Sequence, residues 1–276
     1  MNNTKNNRIA IIGGGYSGLS AAHSFIKSGY SVEVYEAAPF LGGLASTFNI
    51  GDTEVEKFYH HLFLSDNYLI DLLKEFNLQD RIIWKNSSTS YFYKGKIYPF
   101  TGPIDLLKFT PVNFINRIRM GLLALYLQRV KNWQKYEKVT AAEYMKKYAG
   151  SQNYKIIWEP LLKGKFSDYY EDVSMSWLWS KFATRVASRD RNFQEKLGYI
   201  DGSWHILTDA LATFITSHNS KIHLKTRVTK IHVDNNRITG LDSIDNEGNH
   251  KTETFDIILS TIPTFYLPNL IQELPD

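Results

Sequence analysis

The stretch "IAIIGGGYSGLSAAHSF", Ile9 to Phe25, runs from four apolar residues through a run of glycines into a helical pattern, and "SVEVYE", Ser31 to Glu36, follows it. Residues 8–12 read as a short buried strand, 17–28 as a helix ending near Gly29, and 31–36 as a second strand. Strand, helix and strand in under thirty residues form a βαβ unit, and therefore a parallel sheet. Glycine weakens both strand and helix, so its concentration at their junction needs a physical cause.

Gly13, Gly15 and Gly18 satisfy G-x-G-x-x-G at the strand-to-helix turn. The first glycine permits the tight turn, the second lets a pyrophosphate approach the backbone, and the third lets helix and strand pack closely. Ser17 falls in the first helical turn, whose free N–H groups present a partial positive charge to phosphate. Glu36 ends the second strand, eighteen residues after Gly18. Its carboxylate can accept hydrogen bonds from ribose hydroxyls and would repel a 2′-phosphate, which disfavours NADP. With strand, helix, second strand and acid all in place, the glycines read as a dinucleotide site rather than an ordinary turn.

A second pair, Gly42-Gly43, follows six residues after Glu36, where a simple NAD domain would enter another helix. It makes room for a second close approach of backbone to ligand. The pyrophosphate and the chain leading to a flavin would lie between the two loops, which points to FAD.

The bulk composition sets the frame. The 276 residues fit one large domain or two ordinary ones. With 43% hydrophobic and 22% charged residues the chain reads as globular. A net charge of +4, with basic residues scattered, gives no reason to expect nucleic acid. The lack of cysteine excludes disulfides, thiol nucleophiles and cysteine metal sites. "MNNTKNNR" has no apolar core of a signal peptide, and the longest apolar run, Met120 to Leu127, is far shorter than the ~20 residues of a membrane span. A cytoplasmic location is expected.

Beyond the βαβ unit, 54–64 looks extended, 67–76 is an amphipathic helix, and 89–100 is a hairpin turning at Lys94-Gly95. The pattern over 104–217 is mainly helical, with a capping box at Thr140 and Glu143. After 220 the period returns to two, with turns near Asn235-Asn236 and Glu247-Gly248, and 255–263 is a buried strand. The expected fold is α/β: a Rossmann-type FAD/NAD(P)-binding domain from 1–66 with 220–276, and a largely helical substrate domain inserted over 67–219.

Candidate chemistry outside the glycine loops is sparse. His60 and His61 lie on an extended segment and would point to opposite faces, so one could relay a proton at a flavin while the other packs. A structural role explains the pair as well. No third ligand lies at metal spacing, so no metal is expected. Lys163 and Lys165, and Arg185, Arg189 and Arg191, read as solvated charges, and Trp177, Trp179 and Phe182 as core or cavity wall. The apolar stretch 112–130, flanked by Arg117, Arg119 and Arg129, would suit a membrane surface, and a buried helix explains it equally.

"GGGYSGLSAA…VYEAAPFLGGLAST" resembles the N-terminus of the amine-oxidase-like flavoproteins, the group of protoporphyrinogen oxidase, phytoene desaturase and UDP-galactopyranose mutase. "EKFYHHLFLSD" (56–66), "IWEPLLKGKF" (157–166) and "GYIDGSWHILTDALA" (198–212) extend the resemblance over nearly the whole chain. It implies an extended FAD with Gly13, Gly15 and Gly18 at the pyrophosphate, Glu36 at the adenosine ribose, and Gly42, Gly43 and Leu44 leading to the ribityl chain. Val228 would hold adenine through backbone atoms, and Thr261 would close over the cofactor. Many relatives carry basic residues just after the acid and just before the glycine pair, where this chain has Ala37, Ala38, Phe40 and Leu41. Relatives also continue past the "STIP" strand into a further strand, a Gly-Asp pair and a last helix. The resemblance therefore implies a fragment, or a partner that supplies the rest, with weakened FAD binding.

The expected function is hydride removal by an FAD-dependent oxidoreductase from a small organic or lipophilic substrate. A flavin-dependent sugar-nucleotide mutase, in which arginines would hold a pyrophosphate, and a non-catalytic dinucleotide-binding protein are the alternatives.

Overall fold

The computed structural model describes residues 8–187 and 195–271. They form two compact units, one of 8–60, 72–82 and 200–271, the other of 61–71, 83–187 and 195–199. The sequence-based boundaries, 1–66 with 220–276 against 67–219, differ from these at every junction, and the reason is packing described below.

The first unit opens with β1 (Arg8–Ile12), α1 (Tyr16–Lys27) and β2 (Ser31–Tyr35), the βαβ unit read from the sequence. After the second glycine loop, β3 (Thr47–Ile50) and β4 (Thr53–Glu56) form a hairpin. From residue 61 the chain enters the second unit, and it rejoins the first over 72–82 and again from residue 200.

In the second unit, β5 (Leu62–Phe63) is followed by α2 (Asn67–Glu75), whose last turn joins the first unit. Next come β6 (Ile82–Asn86) and the hairpin of β7 (Ser90–Tyr93) and β8 (Lys96–Pro99), turning at Lys94-Gly95 as expected. The helices are α3 (Pro103–Lys108), α4 (Phe114–Arg129), α5 (Ala141–Tyr148), the short α6 (Ser151–Asn153), α7 (Glu159–Phe166) and α8 (Met175–Ala187). Strand β9 (Lys196–Ile200) lies between β5 and β6 in a small sheet. The capping box starts α5: Thr140 accepts from the Glu143 N–H at 3.1 Å, and the Glu143 carboxylate accepts from the Thr140 N–H at 3.3 Å. The core of this unit is Met120, Leu123 and Leu127 of α4 packed with Met145 of α5, Leu162 of α7 and Leu178 of α8. Trp177, Trp179 and Phe182 pack against that core, as read from the sequence. Lys163 pairs with Glu159 one turn away at the surface, and Arg189 and Arg191 lie outside the described residues.

The return to the first unit is α9 (His205–Ser217), then β10 (Lys221–His223), β11 (Arg227–Asp234), β12 (Arg237–Ile244), β13 (His250–Thr254), β14 (Ile257–Ser260) and α10 (Leu267–Leu270). A parallel sheet has the order β10-β2-β1-β14. Helix α1 packs on β2 and on α9, and α9 also packs on β10, which is why 200–219 belongs with this unit. On the opposite face, Ala10, Ile12 and Tyr35 join Val228, Ile231 and Leu241 of the antiparallel sheet β11-β12-β13. Being covered on both faces explains why β1 is apolar at every position after Arg8 and wholly buried from Ile9 on.

An ionic network ties the layers at the start of β1. Arg8 bonds Glu33 at 2.6 Å and Glu253 at 3.4 Å, His223 bonds Glu33 at 2.8 Å, and Lys251 meets Glu253 at 2.9 Å. The hydrogen bond from His223, with a second from Arg8, holds the Glu33 carboxyl at about 2 instead of 4.5 despite its burial. A depressed carboxylate stabilises the fold above its unfolded pKa, and that stabilisation is lost as pH falls through the folded value. Stability should therefore decline from about pH 4.5 toward pH 2 by a share from Glu33 on the order of 3 kcal/mol. Urea midpoints measured down this range should fall less steeply in Glu33→Gln, and an unchanged slope would remove Glu33 from the acid response.

Candidate functional site

β1 ends at Ile12, and Gly13 turns the chain at φ 110°, a conformation open to glycine. The loop is held from two sides. The Gly13 N–H donates to the Tyr35 carbonyl at 2.9 Å, and the Thr261 N–H and hydroxyl both donate to the Ile12 carbonyl at 2.9 Å. Thr261 thus fixes the first loop through its own hydroxyl.

Gly15 is the N-cap of α1, and no side chain caps that terminus. The first-turn N–H groups, with Ser17 exposed among them, are left for an anion.

The second loop comes up against the first. Gly15 and Gly42 form a parallel bridge, and the Gly42 N–H donates to the Gly14 carbonyl at 2.9 Å. Gly42 and Gly43 have φ of 98° and 57°, and a Cβ on Gly43 would stand 3.0 Å from the Gly15 Cα. Bare backbone faces bare backbone, and Leu44, 74% exposed, leads away from it.

Glu36 does more than the sequence suggests. Its two carboxylate oxygens accept from the Gly14 N–H at 2.6 Å and the Ala38 N–H at 2.7 Å. It clamps the first loop to the end of β2, and each oxygen keeps a lone pair for a ribose hydroxyl. The segment after β10 runs alongside, with the Thr226 N–H on the Glu36 carbonyl at 2.9 Å and the Lys225 N–H on the Ala38 carbonyl at 3.1 Å. Val228 follows with its side chain buried in the core beneath the β11-β12-β13 sheet. A cavity of about 330 Å³ opens here between Ala37, Pro39, Lys225, Arg227 and Ile244.

His60 and His61 are both half-buried and separate as expected. His60 Nδ1 lies 2.7 Å from the Phe58 carbonyl, to which it donates, and this contact orients the ring. Its ring lies 5.6 Å from Trp204, whereas His61 packs edge-on to Phe63 at 4.9 Å.

Sequence reading missed the group beside them. Tyr16, next to the glycine loop, donates to the Trp204 carbonyl at 2.6 Å, and burial pushes its phenol up to about 12, so it stays a donor. Glu56 accepts from the Ser203 hydroxyl at 2.5 Å and the Trp204 N–H at 2.8 Å, fixing the start of α9. The pairing joins residues nearly 150 positions apart, and no local pattern marks it. Glu33, His223 and Glu253 place three ligand atoms within 4.8 Å of one another. Arg8 and Lys251 already lie on those carboxylates and oppose a further cation.

Residues 16–271 match the family described as flavin containing amine oxidoreductase. The chain belongs to that family. FAD is its cofactor, and the paired loops fit it: each presents backbone where a side chain would block a diphosphate. The chain is 21% identical over 295 residues to the zeta-carotene desaturase of Synechocystis sp., covering 96% of this chain and 59% of that protein. It is 32% identical over 96 residues to a flavin-containing amine oxidase of Danio rerio, covering 34% of this chain and 18% of the other. Among solved structures, an oxidoreductase from Methanosarcina mazei superposes with a TM-score of 0.71 at 19% identity, covering 98% of this chain and 62% of that one. That likeness shows the α/β flavoprotein fold expected from the sequence. The chain spans 60% and 59% of two desaturase relatives that it matches along nearly its whole length.

Proposed function

We propose that this chain is the FAD-holding part of an oxidoreductase that removes a hydride from a small organic or lipophilic substrate. One observation carries the reading: two glycine loops meet backbone to backbone beside a carboxylate that already clamps one of them. Gly13, Gly15, Ser17 and Gly18 would hold the pyrophosphate, Glu36 the ribose, Val228 the adenine, and Gly42, Gly43 and Leu44 the approach to the ribityl chain. Bound flavin supplies a two-electron acceptor. Of the two histidines, His60 is the candidate proton carrier, because its Nδ1 contact orients the ring and leaves Nε2 without a partner of its own among the described residues. The zeta-carotene desaturase relative supports a lipophilic substrate class, and no relative above supports the mutase or the non-catalytic reading. The experiment is visible absorbance of the purified protein with added FAD, followed by anaerobic titration with amines and polyenes. A flavin spectrum bleached by a donor is expected, and a protein that takes up no FAD overturns the proposal.

A membrane surface is a further proposed partner. Helix α4 buries Met120, Leu123 and Leu127 and exposes Ile115, Leu122 and Leu125 at 78%, 63% and 48%. Between Asp105 and Glu137 the chain carries Lys108, Arg117, Arg119, Arg129, Lys131 and Lys135 and no acid. Among the described residues no helix is long and apolar enough to cross a membrane, so contact would be peripheral, apolar side chains in the interface and cations on acidic headgroups. Sedimentation with vesicles containing phosphatidylserine should carry the protein down at low salt, and Leu122→Glu should release it. Equal sedimentation of the variant would rule this face out.

A further inference from the structure

We infer that Lys57 supplies the positive charge for the cofactor's diphosphate at the second glycine loop, a role that rests on the crevice holding FAD. A diphosphate bridge brings two negative charges, and the loops offer it only N–H groups and a helix terminus. From Ile9 to Glu56 the one Lys or Arg is Lys27, at the far end of α1 and paired with Glu75, whereas the same stretch holds Glu33, Glu36, Asp52, Glu54 and Glu56. This segment therefore brings no cation to the two loops, and Lys225 and Arg227 line the cavity at Ala37 and Pro39 instead.

Tertiary structure brings one in. The Lys57 N–H donates to the Ser46 carbonyl at 2.9 Å. Ser46 in turn lies against the second loop, since a Cβ on Gly42 would meet its N and Cα at 3.2 Å. The Lys57 ammonium then stands 3.6 Å above the ring of Phe40, two residues before Gly42. Among the described residues no carboxylate pairs with it. Phe40 is 42% exposed, and a ring face at an exposed site holds an ammonium weakly, so the side chain can turn to an arriving phosphate oxygen, a stronger partner. Phe40 serves as the parking place, which accounts for an exposed aromatic beside a glycine pair.

The test is equilibrium binding of FAD to the full chain by fluorescence quenching, with riboflavin, which lacks the diphosphate, as the second ligand. Lys57→Met should weaken FAD binding roughly 10-fold, as expected for one charged hydrogen bond, and leave riboflavin binding and the melting temperature unchanged. Lys57→Arg should restore most of the affinity. The wild-type protein should also lose FAD affinity more steeply with added salt than Lys57→Met does. If wild type binds FAD and Lys57→Met binds it equally, the role of Lys57 is overturned while the site stands. If wild type takes up no FAD, the reading of the crevice falls and this role with it. A loss of riboflavin binding equal to that of FAD also overturns the assignment, since it would place Lys57 away from the diphosphate.

Discussion

Gly18→Ala is expected to melt about 6–12 °C below the wild-type protein, or to be lost from the soluble fraction. A methyl group at this position would sit 2.0 Å from the Gly13 carbonyl oxygen and 3.1 Å from its carbon. Those are main-chain atoms, so no rotamer change relieves the overlap. The carbonyl is hemmed in: the Thr261 hydroxyl stands 3.3 Å from it and only 3.2 Å from the added methyl, and the Gly13 N–H is bonded to β2. Relief requires α1 to move off β1, which disturbs the packing of α1 on β2 and α9. Overpacking of this kind costs ~3 kcal/mol or more, and in a chain of this size each kcal/mol lowers the melting temperature by roughly 2–4 °C. A differential scanning measurement on the apo protein decides it. A melting point within a degree or two of wild type would mean that the close approach of helix and loop is not what the third glycine is for.

Gly15→Val should behave in the opposite way: a folded protein that has lost its ligand. Gly15 has φ −76° and ψ 177°, extended backbone that valine adopts without strain. The nearest atom to a Cβ there is the Gly43 Cα at 3.7 Å, an ordinary contact. Loss of glycine at an N-cap costs about 1 kcal/mol at most, so the melting temperature should fall by no more than about 4 °C. The added methyl groups would occupy the gap between the two loops, where the diphosphate needs to reach N–H groups at the start of α1. Losing two such charge-assisted bonds should weaken FAD binding by roughly 100-fold or more. Flavin titration of wild type and variant, beside their melting curves, separates the two glycines. Wild-type affinity in Gly15→Val would show that the diphosphate does not lie between the loops.

The two variants divide what the motif does into a packing part and a binding part. Gly18 is a matter of how one helix meets one strand, whereas Gly15 is a matter of what two loops leave open. Glu36 belongs to both, since the carboxylate proposed to hold the ribose also closes the first loop by accepting from Gly14 and Ala38. A dinucleotide site of this kind is preorganised: its anion-facing N–H groups are held in place before the ligand arrives.

Elements with local causes were legible in the amino-acid order alone. The run Ile9–Ile12, the glycine spacing and the alternation in "SVEVY" specify β1, α1 and β2 within thirty residues, and Thr140 with Glu143 specifies the start of α5. The sequence also pointed to two glycine loops and FAD, because backbone approach leaves a residue-type signature. Which partners those elements take is settled by the folded chain. The meeting of Gly15 with Gly42, the hydroxyl of Thr261 turned to the Ile12 carbonyl, the assignment of α9 to the first unit, and Lys57 over Phe40 all join segments from different parts of the chain. Periodicity reports which face of an element is apolar, not what will cover it. The identity of the covering surface is set by packing among distant segments, so it emerges only when the whole chain is folded.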